Sequence, residues 1–276
     1  MHAITTLALQ RSIAQLEQAG AHYTEAQLFY AVCYTVLAPL RAALGKLRVA
    51  LTLPPPLSPT AVAGGLRHWI DRHGVPVGLL PANPSLISTA APHTTTELDH
   101  YGLPQVLVCQ DAAIAAMLRA NAFDLELACP VFTVRDWPLP EAIIAALRRA
   151  NRPRILVLHN ASADGLALAG QLTAAAPSAI PVQPIGLRPR HAKALRLCAN
   201  RRLPPSTLSA LAVVDDEARW LQRGWQADVA AVYPIKLLRS LRAIVYATPQ
   251  PISWRERWRY FVHSGFMSWP AWKEAV

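Results

Sequence analysis

Apolar residues recur in the first 73 positions at helical spacing. Ile4, Leu7, Ile13 and Leu16 share one face of a segment predicted as a helix over 4–19 and stopped by Gly20. Thr24 is placed to cap a second helix over 25–44, with Leu28, Val32, Thr35 and Val36 on one side and Pro39 kinking or splitting it. The run Pro54-Pro55-Pro56 breaks the chain, and Ser58 then caps a third helix over 59–73 carrying Leu66, Trp69 and Ile70. Gly74 to Leu80 reads as a β-turn between apolar residues. Helices followed by a short β-ribbon are the outline of a winged-helix module.

After a stretch rich in Pro, Ser, Thr and Asn, the period changes. Short unbroken apolar runs predict strands at 105–109, 129–134, 154–159 and 180–185, each buried on both faces. Helical patterns over 111–121, 139–150, 165–175 and 189–199 lie between and after them, and 206–246 reads as helical. Strands alternating with helices predict a parallel sheet with helices on both faces. The expected fold is therefore α/β. A winged-helix-like domain spans 1–81, a linker 82–104, the sheet domain 105–250 and a basic, aromatic tail 251–276. The strand Arg154–Leu158 followed by the polar turn Asn160–Gly165 is the first place to look for a site, because such turns sit at the carboxyl edge of a parallel sheet.

Composition narrows the classes. The 276 residues are 53% hydrophobic and 16% charged, which argues against disorder. Each apolar run is interrupted by Pro, His or a charge before the roughly 20 residues that a membrane span needs. The N-terminus lacks a basic region followed by an apolar core, so no secretion signal is expected. Cys33, Cys109, Cys129 and Cys198 are too widely spaced for a metal finger and read as buried free thiols, which fits a cytoplasmic location. The net charge of +10 is uneven: residues 1–144 balance at −2 and residues 145–276 at +12. A basic half points to a polyanionic partner, DNA ahead of a membrane surface, although arginine-rich composition also serves solubility. Arg148, Arg149, Arg152, Arg188, Arg190, Lys193, Arg201 and Arg202 are the candidate phosphate contacts. Residues 252–273 interleave Trp254, Trp258, Trp269 and Trp272 with Arg255, Arg257, Arg259 and Lys273. This stretch is expected to pack on the core or to dock a partner protein or a second copy, ahead of lying on nucleic acid or a membrane surface.

Two strand tips carry a resemblance. Gln110 follows the strand Val106-Leu107-Val108-Cys109, and Asn160-Ala161-Ser162-Ala163-Asp164-Gly165 follows the strand at 154–159. The arrangement resembles the Toprim metal site of topoisomerases and primases, in which a strand ending in Glu lies beside one ending in Asp-x-Asp-x-x-Gly. Domain order, Pro184-Ile185-Gly186-Leu187-Arg188-Pro189 and Asp228-Val229-Ala230-Ala231-Val232-Tyr233-Pro234 are similar to the A subunit of topoisomerase VI and the related meiotic double-strand-break protein. In that family a winged-helix domain supplies a catalytic tyrosine. The segment Thr24-Glu25-Ala26-Gln27-Leu28-Phe29-Tyr30 places Tyr30 at that position, with Ala26 and Gln27 where the family has Arg-Asp.

Gln110, Asn160 and Ser162 stand where the family has three carboxylates. Mg²⁺ prefers charged oxygen ligands, and these amide and hydroxyl groups remove that charge. The resemblance thus implies a DNA-binding, catalytically inactive protein without a cofactor, working inside an assembly. Mg²⁺ would return only if Asp111 and Asp164 converged. Two other readings stay open: a metal-dependent strand-cleaving enzyme using Tyr30, and a protein-interaction scaffold. Asp164 is equally a helix-capping residue and Tyr30 equally a core residue.

Overall fold

A computed structural model of the chain describes residues 2–81, 102–202 and 214–246. The tail at 251–276, and with it the expected docking of a partner, lies outside the described residues.

The helical start matches its pattern. Helix α1 (His2–Gln18) packs along α2 (Glu25–Val36). Thr24 caps α2 reciprocally: its hydroxyl accepts the Gln27 N–H at 3.1 Å, and the Gln27 side chain accepts the Thr24 N–H at 3.0 Å. The proline break also appears. Helix α3 (Ala38–Lys46) leaves α2 at 69°, with Pro39 in its first turn, where a missing N–H costs nothing. Helix α4 (Pro59–His73) opens on Ser58, whose hydroxyl accepts the Ala61 N–H at 3.2 Å. The turn at 74–80 closes on itself, with Leu79 N–H donating to Pro76, and also on Tyr23: Tyr23 N–H donates to Gly78 and Leu80 N–H to Tyr23. Among the described residues this part of the chain contains no two-stranded ribbon.

Strands β1 (Gln105–Cys109), β2 (Val131–Thr133), β3 (Arg154–Leu158) and β4 (Val182–Pro184) form one parallel sheet in the order β2-β1-β3-β4. Helices α5 (Ala112–Ala120), α6 (Phe123–Leu127), α7 (Glu141–Arg149), α8 (Ala163–Ala175) and α9 (Pro189–Ala194) connect or follow the strands. One face of the sheet (Val106, Val108, Ile155, Val157) packs with residues of α7 and α8, including Ile143, Leu147, Ala169 and Leu172. The other face (Leu107, Cys109, Leu156, Leu158) belongs to a cluster that takes in α5 and α6 and continues into α1, α2 and α4. This second cluster therefore joins residues from Ala8 to Val245. Each Val, Leu, Ile, Phe or Met side chain fully buried there contributes roughly 1.5–3 kcal/mol.

Two expectations need correction. The helix expected over 189–199 ends at Ala194, because Arg196 turns the backbone to φ 51° and Leu197 then hydrogen-bonds Leu53. The stretch expected to be helical to 246 is interrupted. Helix α10 (Asp215–Gln222) stops before Gly224 at φ 76°, and β6 (Trp225–Gln226) pairs with β5 (Asn200–Arg201). A 3-10 turn at Val229–Ala231 then leads into α11 (Pro234–Tyr246). Arg154, at the start of β3, donates to the Ile244 and Val245 carbonyls of the last turn of α11 and to Gln105. Among the described residues no single helix is long and apolar enough to cross a membrane, and only the bent pair α2–α3 matches by length and composition.

Candidate functional site at the strand tips

From β1 the chain steps outward to β2, then crosses back to β3 on the other side of β1 and on to β4. The strand order therefore reverses between β1 and β3. In doubly wound sheets the crevice outside the carboxyl ends of the strands at such a reversal is the usual ligand position. Cys109 pairs with Leu158 in register, and Gln110 and Asn160, one and two residues further on, meet at that point.

Their contacts are short and neutral. The Gln110 side-chain oxygen accepts the Asn160 N–H at 2.8 Å, and the Gln110 N–H donates to the Leu158 carbonyl at 2.9 Å. The Asn160 side-chain oxygen accepts the Val229 N–H at 2.7 Å, tying the tip of β3 to the 3-10 turn. Ala161 and Ala227 exchange both backbone hydrogen bonds beside it. Ser162 caps α8 by accepting the Gly165 N–H at 3.0 Å. Gly165 is where it is for want of space. A Cβ there would lie 2.4 Å from the Asn160 carbonyl oxygen and 2.9 Å from the Gln110 side-chain oxygen.

The expected degenerate positions Gln110, Asn160 and Ser162 are thus brought to one sheet edge, and each spends its oxygen on a backbone N–H. That donor set does not suit Mg²⁺, which requires oxygens that are charged and free to turn toward it. Asp111 and Asp164 serve helices. Asp111 caps α5 by accepting the Ala113 N–H at 2.8 Å, and exposed Asp164 lies in the first turn of α8, where a negative charge complements the helix dipole. Among the described residues no group of three or more His, Cys, Asp and Glu side chains is arranged to hold a metal ion.

Tyr30 reaches the same region from α2. Its hydroxyl donates to Asp228 at 2.6 Å and accepts from the Asn200 side chain at 3.2 Å. One turn later Tyr34 donates to the Ala231 carbonyl at 2.7 Å and accepts the Cys198 N–H at 3.2 Å. Tyr30 is 3% exposed, and burial together with the Asp228 carboxylate pushes its hydroxyl well above the usual tyrosine range. A nucleophile needs the opposite: access and a stabilised phenolate. Asp228 and Asn200 were not singled out as Tyr30's partners from the sequence. They lie 198 and 170 positions away from it, and no local pattern signals such a contact.

The candidate phosphate contacts separate. Arg148, Arg149 and Arg152 lie before β3, at the amino edge of the sheet, opposite the tips. Arg148 pairs with Glu141 on the surface. Arg188, Arg190 and Lys193 do lie at the carboxyl edge, after β4, but with acids against them. Arg188 grips Glu217 at 2.7 Å, with 14% and 3% of the two side chains exposed. Arg190 stands 3.8 Å from the same carboxylate, and Lys193 pairs with Asp216 at 2.7 Å. Arg201 donates to the Arg223 carbonyl, and Arg202 is exposed beside it. Two histidines sit buried below Arg188. His159 contacts the Asn160 carbonyl and Gly186 packs on its backbone, while His191 accepts the Arg188 N–H at 3.3 Å. Burial holds both rings below the usual histidine range, and the Arg190 and Arg188 charges help bring His191 to about 3. Both are therefore neutral near pH 7.

Compared with models of protein families and with curated proteins, the sequence matches none.

Proposed function

We propose that the chain is a DNA-binding relative of the Toprim proteins, resembling the topoisomerase VI A subunit, that lacks metal-dependent cleavage and works within a larger assembly. The observation carrying this reading is the meeting of Gln110, Asn160 and Gly165 at the β1–β3 reversal, in the strand–turn–helix setting of that family's metal site, with every oxygen neutral and engaged. The excess of +12 in residues 145–276 supplies the attraction to phosphate, with exposed Arg149, Arg152 and Arg202 as its contacts. Helices α1, α2 and α4 with the return of 74–80 to Tyr23 are read as the counterpart of the winged-helix module. Four buried free thiols accord with a cytoplasmic protein.

Fluorescence anisotropy with labelled duplex DNA at low and moderate salt tests the reading. Binding that weakens steeply as salt rises is expected, and a flat titration refutes it. Supercoiled plasmid incubated with Mg²⁺ or Mn²⁺ should stay intact. Nicking that disappears in Tyr30→Phe would replace this reading with that of an active strand-cleaving enzyme.

A further inference from the structure

A cavity of about 550 Å³ opens between α1, α2, α3 and the start of α11, bordered by Ala231 and Val232 at the end of the 3-10 turn. Its size falls within the range of small-ligand pockets. Its walls carry Arg11, Arg41 and Lys236, and no carboxylate. Among the described residues neither Arg11 nor Lys236 forms an ion pair, in contrast to Arg188, Arg190 and Lys193 at the sheet edge.

Arg41 is held in place. One terminal nitrogen donates to the Leu195 carbonyl at 3.2 Å, and the guanidinium lies 4.0 Å over the Tyr34 ring. Its Nε, however, is buried and has no hydrogen-bond partner in the protein, which leaves it open to an acceptor from a ligand or a water. Tyr34, Tyr233 and Leu197 give the same cavity aromatic and apolar wall. A second hollow shares Gln15 and Tyr233 with it and adds Arg239, so the cationic lining continues along α1 and α11.

We infer that this cavity binds a small phosphorylated organic anion, its phosphoryl group against Arg11, Arg41 and Lys236 and its apolar or aromatic body against Tyr34, Tyr233 and Leu197. Like charges converging without a counter-ion in a concave site favour such a ligand, and guanidinium groups match phosphate geometry. The inference is independent of the DNA-binding reading, because none of these residues belongs to the strand tips or to the proposed DNA contacts.

Isothermal titration of the full chain with adenosine 5′-diphosphate, pyrophosphate and adenosine tests it. Saturable binding of the diphosphate at one site per chain is expected, tighter than either pyrophosphate or adenosine. Lys236→Gln, an exposed position, should weaken the diphosphate about tenfold, as should Arg41→Gln, while the distant Arg152→Gln leaves it unchanged. Absence of saturable diphosphate binding overturns the inference. So does adenosine binding as tightly as the diphosphate, pyrophosphate binding alone, or an affinity unmoved by both cavity variants. A thermal melt of each variant separates loss of the site from loss of the fold.

Discussion

Two glycines of the same helix make opposite demands on an added methyl group. At Gly165 a Cβ would stand 2.4 Å from the Asn160 carbonyl oxygen, 2.9 Å from the Gln110 side-chain oxygen and 3.1 Å from the Asn160 nitrogen. Two of those atoms are backbone of the β3 tip, so relief requires α8 or the strand end to move. Overpacking of this kind costs about 1–3 kcal/mol, and alanine's better helix propensity returns up to about 1 kcal/mol. Gly165→Ala should therefore destabilise the protein by about 1–2 kcal/mol. At Gly170 nothing lies within 4 Å of the new carbon, and the position is exposed in mid-helix. Gly170→Ala should stabilise by about 0.5–1 kcal/mol. Urea denaturation of the two variants beside the parent measures both, and the midpoints should move in opposite directions. If Gly165→Ala unfolds with the Gly170→Ala protein or above the parent, the close contact of α8 with the strand tip is wrong.

Four further outcomes follow from particular contacts. His159 and His191 are 2% and 4% exposed and stay neutral in the fold, whereas unfolded imidazoles take up a proton near pH 6.5. Stability is thus complete above that pH and falls as pH drops through the window from about 6.5 toward 3; at pH 5 His191 alone accounts for about 2 kcal/mol, read as a lower urea midpoint, and an unchanged midpoint refutes the buried neutral ring. Glu217→Ala leaves the buried Arg188 guanidinium without its carboxylate and should cost about 3–5 kcal/mol by the same assay; a loss below about 1 kcal/mol shows the pair to be solvated. The four buried thiols should react with Ellman's reagent only as fast as the structure opens, so rapid labelling of any of them in native buffer contradicts its burial. Replacing Gln110 by Glu together with Asn160→Asp and Ser162→Asp should create Mg²⁺ binding, seen by titration calorimetry, that the parent lacks; no gain in a folded triple variant argues against a Toprim-like geometry.

Much of the architecture was legible because it is written locally. The apolar run Val106 to Cys109, β-branched at Val106 and Val108 and too short for a helix, reads as an interior strand, and Thr24, Ser58 and Pro39 mark helix boundaries through their own chemistry. Helix α6 was not legible. It is bounded by Ala122 and Ala128 in left-handed conformations, φ 53° and 45°, which alanine does not advertise as glycine would. The meeting of Gln110 and Asn160 could be expected, since each stands just beyond the end of a strand. Their use as backbone acceptors could not, because it depends on the register of β1 with β3 and on a turn 69 positions downstream. The carboxylates opposite Arg188 and Lys193 were likewise hidden, being brought back by a helix that begins at Asp215.

The hydroxyls of Tyr30 and Tyr34 find their partners at Asp228 and Ala231, 198 and 197 positions later. A ribosome adding 5–20 residues per second takes about 10–40 s to cover that interval. Throughout it α2 can pack on α1 and then on α4, but its two tyrosine hydroxyls lack the acceptors they have in the finished fold. The first helices can therefore assemble early, while the polar ties that fix α2 to the sheet domain close only when the last described segment has been made.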